Sequence, residues 1–163
     1  MAEAMLRAAS GADDDRLTIA SASLGPERRP IHPTIVRLLA ERGLAPPKTI
    51  SDPVHTGLVD GADLILTMTG AHAIAMAGRF RQATRRVFTL DHGAQVLPAR
   101  GNGSLDGWLE QIERIPRAYP QQPGSVDIVD PVNRPDEVFE HVAREIERRC
   151  EQLAVRLSAG ATR

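Results

Sequence analysis

Two aspartates in the C-terminal third of the sequence could act as general acids. Asp127 and Asp130 stand in the stretch VDIVDPVNRP, where Pro131 directly follows the second of them. Proline fixes its own backbone φ, so a carboxyl group beside it is held in place for proton transfer. The Asp-Pro pair is also a common turn pair. The local sequence favours a simple turn, and a general acid remains the alternative.

A cysteine and an arginine stand at the spacing that phosphate-ester hydrolases use. Cys150 and Arg156 enclose five residues in CEQLAVR. That chemistry needs a thiolate nucleophile ringed by backbone N–H groups, with the arginine holding two phosphate oxygens. Such a cradle requires a glycine-containing loop that leads into a helix N-terminus. The five residues here all suit a continuous helix, so we predict that Cys150 is a buried core residue.

The remaining polar candidates predict no metal or cofactor site. The stretch Asp91–Gly93, DHG, resembles a turn after a strand, and Gly101–Gly103 is too short for a nucleotide-binding fingerprint. The histidines are scattered without a close pair at metal-ligand spacing, so surface or capping roles are expected for them. They are His32, His55, His72, His92 and His141.

The elements that would position these residues alternate between strands and helices. Strands are predicted at Leu17–Ser23, within the apolar run GADLILTMTG, and at Val87–Leu90. Helices are predicted for MAEAMLRAAS, for HPTIVRLLAERG with Gly43 as its C-terminal cap, for AHAIAMAGRF, within Trp108–Tyr119, and from Pro135 onward. The alternation indicates an α/β domain with a mostly parallel sheet. We expect one domain over residues 1–158 and a frayed tail over 159–163.

Length and composition exclude several classes of protein. The 163 residues are 42% apolar and 25% charged, which is ordinary for a soluble domain with a real core. The formal net charge of −1 argues against a nucleic-acid partner. Neither an apolar run of about 20 residues nor a signal peptide is evident, so no membrane partner is expected. One cysteine cannot form an internal disulfide, which favours a cytoplasmic location.

Taken in order, these segments resemble the low-molecular-weight protein-tyrosine phosphatase family. In that family a C-x5-R-[ST]-P loop is followed by a helix of the form MAEA-LR. The matching stretches are MAEAMLR, IASASLG, HPTIVRLLAERGL, ADLILTMTGAH and DIVDP. The resemblance implies a three-layer α/β/α fold with a short, mostly parallel sheet. It also implies phosphomonoester hydrolysis through a phosphocysteine intermediate.

Carried over by this resemblance, Asp130 would protonate the leaving oxygen and then activate the hydrolytic water. The nucleophilic cysteine and the phosphate-binding arginine would precede Met1, and the sequence does not contain them. Ser23 replaces a glycine of the family turn. Val132 and Asn133 stand where tyrosine-specific members often have aromatic residues, which argues against phosphotyrosine as the substrate. The chain by itself is therefore expected to be inactive.

The resemblance also places the family's central strand before Met1. Losing about four buried apolar side chains at roughly 1.5–3 kcal/mol each forfeits about 6–12 kcal/mol. Whole domains are stable by only about 5–15 kcal/mol. The sequence thus predicts either a reading frame that starts upstream or a marginally stable remnant.

Three functions remain open at this stage. The first is a phosphatase whose catalytic loop lies upstream and whose partner is a phosphorylated protein or a small phosphate ester. The second is a non-catalytic binding or regulatory relative with the same fold. The third is arsenate reduction, which is disfavoured because it needs further redox cysteines.

Overall fold

The computed structural model describes residues 1–11, 17–116 and 127–158. Helices make up about half of this part of the chain. They are α1 (Ala2–Ala9), α2 (Pro33–Glu41), α3 (Thr56–Asp60), α4 (Gly70–Arg79), α5 (Leu90–Val96), α6 (Leu105–Arg114) and α7 (Asp136–Leu157), with a 3₁₀ turn at Arg81–Arg86. The strands are β1 (Arg29–Pro30), β2 (Ile50–Ser51), β3 (Ile65–Thr67) and β4 (Val87–Thr89).

The strands form two short pairs. β3 and β4 are parallel, with Leu66 opposite Phe88, and α4 lies in the crossover between them. β1 and β2 are antiparallel. A parallel pair needs a crossover connection, usually a helix, so this is a βαβ unit. The fold is α/β, as the sequence predicted.

The β3–β4 pair separates two hydrophobic clusters. Phe88 belongs to the larger cluster and Val87 to the smaller one, since successive side chains of a strand point to opposite faces. α7 supplies much of the larger cluster and packs against α1, α2 and α5. Its buried apolar residues are Phe139, Val142, Ala143, Ile146, Cys150, Leu153, Ala154 and Leu157.

The helix α2 ends at the glycine that its sequence predicts, and a histidine caps its start. His32 precedes it, and the His32 Nδ1 atom accepts a hydrogen bond from the Thr34 N–H at 3.3 Å. At the other end Gly43 has φ +69°. The Gly43 and Leu44 N–H groups donate to the last carbonyls of the helix at 2.9 Å each. This is the Schellman arrangement, in which a left-handed glycine closes a helix.

The predicted strand Leu17–Ser23 is wrong except at its last residue. Ser23 forms an isolated parallel bridge with Pro53, and residues 17–22 are irregular. The carbonyls of Ile19 and Ser21 accept hydrogen bonds from the Arg7 and Lys48 side chains. A strand requires backbone partners along its length, and side chains take that role here.

The predicted turn at Asp91–Gly93 is also wrong, because these residues lie within α5. The Thr89 hydroxyl accepts the His92 N–H at 3.1 Å and so caps this helix. A Cβ at Gly93 would lie 3.0 Å from a methyl of Leu66, so the glycine permits close packing of α5 on β3.

Other boundaries differ by a few residues. The apolar run GADLILTMTG forms a strand only at β3, and β4 ends at Thr89. α6 begins at Leu105, before Trp108, because the Ser104 hydroxyl accepts the Gly107 N–H at 3.2 Å. Tyr119 and the tail 159–163 lie outside the described residues. No helix in the described ranges is long and apolar enough to cross a bilayer.

Candidate functional site

The loop formed by residues 127–131, hereafter the acid loop, is attached to the junction between β3 and α4. The Ile128 N–H donates to the Met68 carbonyl at 3.0 Å, and the Ile128 side chain is buried. The Asp127 Oδ1 atom accepts the Gly70 N–H at 2.7 Å. Gly70 is the first residue of α4, so the carboxylate also meets the positive end of that helix.

Asp130 lies at the exposed side of the acid loop. Its Oδ1 atom accepts the Val132 N–H at 3.0 Å, an Asx turn that fixes the carboxyl group against its own backbone. Pro131 is buried behind it. A second turn follows, because the Arg134 N–H donates to the Pro131 carbonyl at 3.0 Å with Asn133 at φ +63°. The Asp-Pro pair therefore does form a turn, and that turn presents a carboxyl group to solvent.

The first helix is held by a polar cluster beneath its N-terminal turn. Glu3 is 8% exposed. Its carboxylate accepts hydrogen bonds from the Arg7 guanidinium and, at 2.6 Å, from the Ser21 hydroxyl. No side chain caps the helix at Met1. The cluster fixes the segment around Ser21 to α1.

Cys150 occupies the interior and is not placed to attack a phosphate. It lies on the buried face of α7, and its thiol contacts the Ala2 carbonyl at 3.7 Å. Burial raises the pKa of the Cys150 thiol to about 12. A thiol is nucleophilic only as the thiolate, so this residue is a core cysteine, as predicted.

Arg156 is engaged by a different helix and does not line a phosphate cradle. Its guanidinium donates to the carbonyls of Ala94, Gln95 and Leu97 at 2.8, 2.9 and 2.5 Å. These carbonyls lie at the C-terminal end of α5, where a helix has unpaired acceptors and a partial negative charge. The C-x5-R spacing in CEQLAVR is therefore coincidental.

A buried ion pair between Asp91 and Arg149 was not predicted. Arg149 follows Ile146 by three residues and therefore falls on the apolar stripe of α7. A charged residue on such a stripe requires a buried partner. The position of Arg149 on this apolar stripe is therefore the feature of the sequence that indicates a buried acidic partner.

The histidines serve mostly in the roles expected of them. His32 and His55 cap α2 and α3, and His72 and His141 are exposed. His92 differs, since it is buried beside Phe88 with ring centroids 5.7 Å apart. Within residues 1–11, 17–116 and 127–158, no group of three His, Cys, Asp or Glu side chains is placed to hold a metal ion.

Comparison by sequence identifies one family. The family model described as low molecular weight phosphotyrosine protein phosphatase matches residues 1–97, more than half of the chain. No curated protein matches the sequence.

Comparison by structure finds solved proteins of the same fold. A low molecular weight protein tyrosine phosphatase from T. tengcongensis is 22% identical, with a TM-score of 0.71 over 96% of this chain and 88% of that one. The YwlE arginine phosphatase from Geobacillus stearothermophilus is 21% identical, with a TM-score of 0.70 over 94% and 80%. Vibrio vulnificus Wzb, solved with benzylphosphonate, is 18% identical, with a TM-score of 0.67 over 96% and 88%.

Proposed function

Because the chain belongs to the low molecular weight phosphotyrosine protein phosphatase family, we propose that its acid loop serves the hydrolysis of phosphate monoesters. Asp130 is the general acid of this proposal. The observation that carries it is the exposed carboxyl group of Asp130, held by its Asx turn beside the buried Pro131.

Asp130 has two successive tasks in this chemistry. Its protonated carboxyl group donates a proton to the ester oxygen as the bond from that oxygen to phosphorus breaks. The resulting carboxylate then takes a proton from the water that attacks the phosphoenzyme, which restores the acid. Both tasks need a solvent-accessible carboxyl group of fixed position, and a short turn supplies one.

The nucleophile of this proposal is not among the 163 residues. Cys150 is the only cysteine, its pKa is about 12, and it is 1% exposed. Arg156 is bonded to three carbonyls of α5 and its adjoining residues. We therefore propose that the 163 residues supply the general acid of a phosphatase site, and that they do not hydrolyse phosphate esters by themselves.

The substrates we propose are a phosphorylated protein or a small phosphate ester. The structural relatives include proteins named as an arginine phosphatase and as a tyrosine phosphatase. The side chains that flank Asp130 here are the exposed Val129 and Val132, at 54% and 47% exposure. Neither the acid loop nor Val132 offers an aromatic ring on which a phosphotyrosine side chain could stack, so we expect this part of the site to give no strong preference for aryl over alkyl esters.

An aryl phosphate assay tests the proposal in two stages. The 163-residue chain should release p-nitrophenol from p-nitrophenyl phosphate only at background rate, and Cys150→Ser should not change that rate. A chain with a strand and a C-x5-R-S-P loop grafted before Met1 should gain turnover. In the grafted chain Asp130→Asn should lower kcat by about 10²–10⁴-fold. Glu137→Gln, an exposed carboxyl outside the acid loop, should leave kcat unchanged.

Two results would contradict the proposal. One is turnover by the ungrafted chain that Cys150→Ser abolishes, which would make Cys150 the nucleophile. The other is a grafted chain that turns over equally well with Asn at position 130. A folded, grafted chain that binds inorganic phosphate without turnover would support the non-catalytic binding relative.

A further inference from the structure

Asp127 links the acid loop to a helix far away in sequence. Its Oδ1 atom accepts the Gly70 N–H at 2.7 Å, across 57 positions. A hydrogen bond to a carboxylate is shorter and stronger than one between neutral groups. The adjacent Ile128 N–H donates to the Met68 carbonyl at 3.0 Å. These two bonds join the start of the acid loop to both sides of Thr69.

The Asp127 bond satisfies a group that the local cap of α4 does not reach. The Thr69 hydroxyl accepts the His72 N–H at 3.1 Å and leaves the Gly70 N–H without a partner in its own helix. Gly70 is buried, and a buried N–H needs a hydrogen-bond partner. The acid loop supplies that partner from a distant segment, so the start of α4 and the acid loop are coupled.

The contacts on either side of Asp130 leave its backbone little freedom to move. Asp127 and Ile128 are bonded to the β3–α4 junction, and Pro131 is buried. Only Val129 and Asp130 lie between these points. Among the described residues, the contacts that would still hold the start of the loop without the Asp127 bond are one backbone hydrogen bond and the Ile128 side chain.

We propose that Asp127 is a positioning residue for Asp130. The Asp127 carboxylate is hydrogen bonded to the first turn of α4 and so limits the movement of the acid loop. Because the loop is held in this way, the Asp130 carboxyl group stays in its Asx turn. The inference rests on the proposed function only in assigning Asp130 the role of acid. The hydrogen bond between Asp127 and Gly70 lies within these 163 residues, so its effect on the acid loop can be measured without enzymatic turnover.

Amide hydrogen exchange on the 163-residue chain tests the link. The Ile128 N–H reports loop attachment because its acceptor is Met68, and the Ile146 N–H in the middle of α7 reports global opening. Asp127→Ala should speed Ile128 exchange at least about tenfold relative to Ile146. Asp127→Asn should have a smaller effect, since its amide oxygen can still accept the Gly70 N–H. The matched control is Ser104→Ala, which removes the cap of a different helix, α6, and should leave the ratio unchanged.

A second readout follows the acid itself. The Val132 N–H donates to the Asp130 carboxyl group, so its exchange rate reports whether the Asx turn is formed. Asp130→Ala removes the acceptor and should speed that exchange relative to Ile146. Asp127→Ala should speed it by a smaller factor, and Ser104→Ala should leave it unchanged.

The proposal is overturned if Asp127→Ala leaves the exchange of both the Ile128 and the Val132 N–H groups, relative to Ile146, as in Ser104→Ala. Should Asp127→Ala fail to fold, the same comparison with Asp127→Asn decides the matter, and values equal to the unsubstituted chain overturn it. Failure of the proposed function can be told apart from failure of this inference. If only the proposed function fails, Asp127→Ala still changes the Ile128 and Val132 readouts, while Asp130→Asn does not change kcat of the grafted chain.

Discussion

Asp91 and Arg149 form an ion pair inside the protein, with Asp91 Oδ1 and Arg149 Nε 2.5 Å apart and the side chains 1% and 10% exposed. The Gln95 amide donates to the other carboxylate oxygen at 2.7 Å. The pair joins α5, a helix of seven residues, to α7. Because so short a helix has little stability of its own, its contacts with α7 determine whether it forms.

Removal of Arg149 should destabilise the fold strongly. Arg149→Met removes one charged partner of the buried Asp91 carboxylate, and removing one partner of a buried ion pair typically costs about 3–5 kcal/mol in the free energy of unfolding. Urea unfolding followed by circular dichroism measures the change. The double variant Asp91→Leu with Arg149→Met should recover part of the loss. Arg114→Met is the control, since its pair with Glu110 is at the surface and should contribute at most about 1 kcal/mol.

Cys150 should be inert towards thiol reagents in the native protein. With a pKa of about 12, about one thiol in 10⁴ is ionised at pH 8, and burial blocks access to it. In the unfolded chain the pKa returns to about 8.5 and the thiol reacts readily. Labelling by a disulfide reagent should therefore follow the urea unfolding transition. Rapid labelling of the native chain would contradict the burial of this residue.

Arg156 should contribute to stability through the end of α5. Arg156→Met leaves three carbonyls without their charged donor, and hydrogen bonds to charged groups are each worth about 1.5–3 kcal/mol. Since the guanidinium is only partly buried and water can replace it, we expect a total loss in that same range. Arg148→Met, which removes an exposed partner of Glu145, is the matched control. Equal effects of the two substitutions would refute the capping role.

Two glycines should respond in opposite directions to alanine. Gly43 has φ +69°, so Gly43→Ala forces a Cβ into a left-handed conformation at a cost of about 1–2 kcal/mol. Gly78 lies within α4, and a Cβ there meets no heavy atom of the described chain within 4 Å. Gly78→Ala should therefore stabilise by about 0.5–1 kcal/mol. Thermal unfolding of both variants checks the signs, and a stabilising Gly43→Ala would exclude the Schellman assignment.

The parts of the fold that local chemistry determines could be predicted from the sequence. Gly43 marks the end of α2, and Pro135 precedes α7 directly. Helix α5 was not predicted because the residues that stabilise it are distant from it in the sequence. Arg149 neutralises Asp91 from 58 positions away, and Leu66 needs the space that Gly93 leaves. Local propensity does not contain such contacts.

At the candidate site, too, the local features could be predicted from the sequence and the long-range contacts could not. The types and spacing of Asp130 and Pro131 identified a turn with a carboxyl group, and the family resemblance suggested its role. The bond from Asp127 to Gly70 joins two segments whose proximity only the folded chain establishes. The buried Cys150 was predictable because its neighbours follow a helical apolar period over several turns.

The packing of α7 against α1 has a consequence for how the protein is made. These helices are separated by about 125 residues, and the core between them is the larger of the two hydrophobic clusters. On the ribosome α1 emerges early and α7 late, so Met5 and Leu6 have no α7 to pack against during most of synthesis. Contacts of such long range also slow folding, because the loop between them must close first. During translation α1 therefore keeps its apolar face uncovered until α7 has been made.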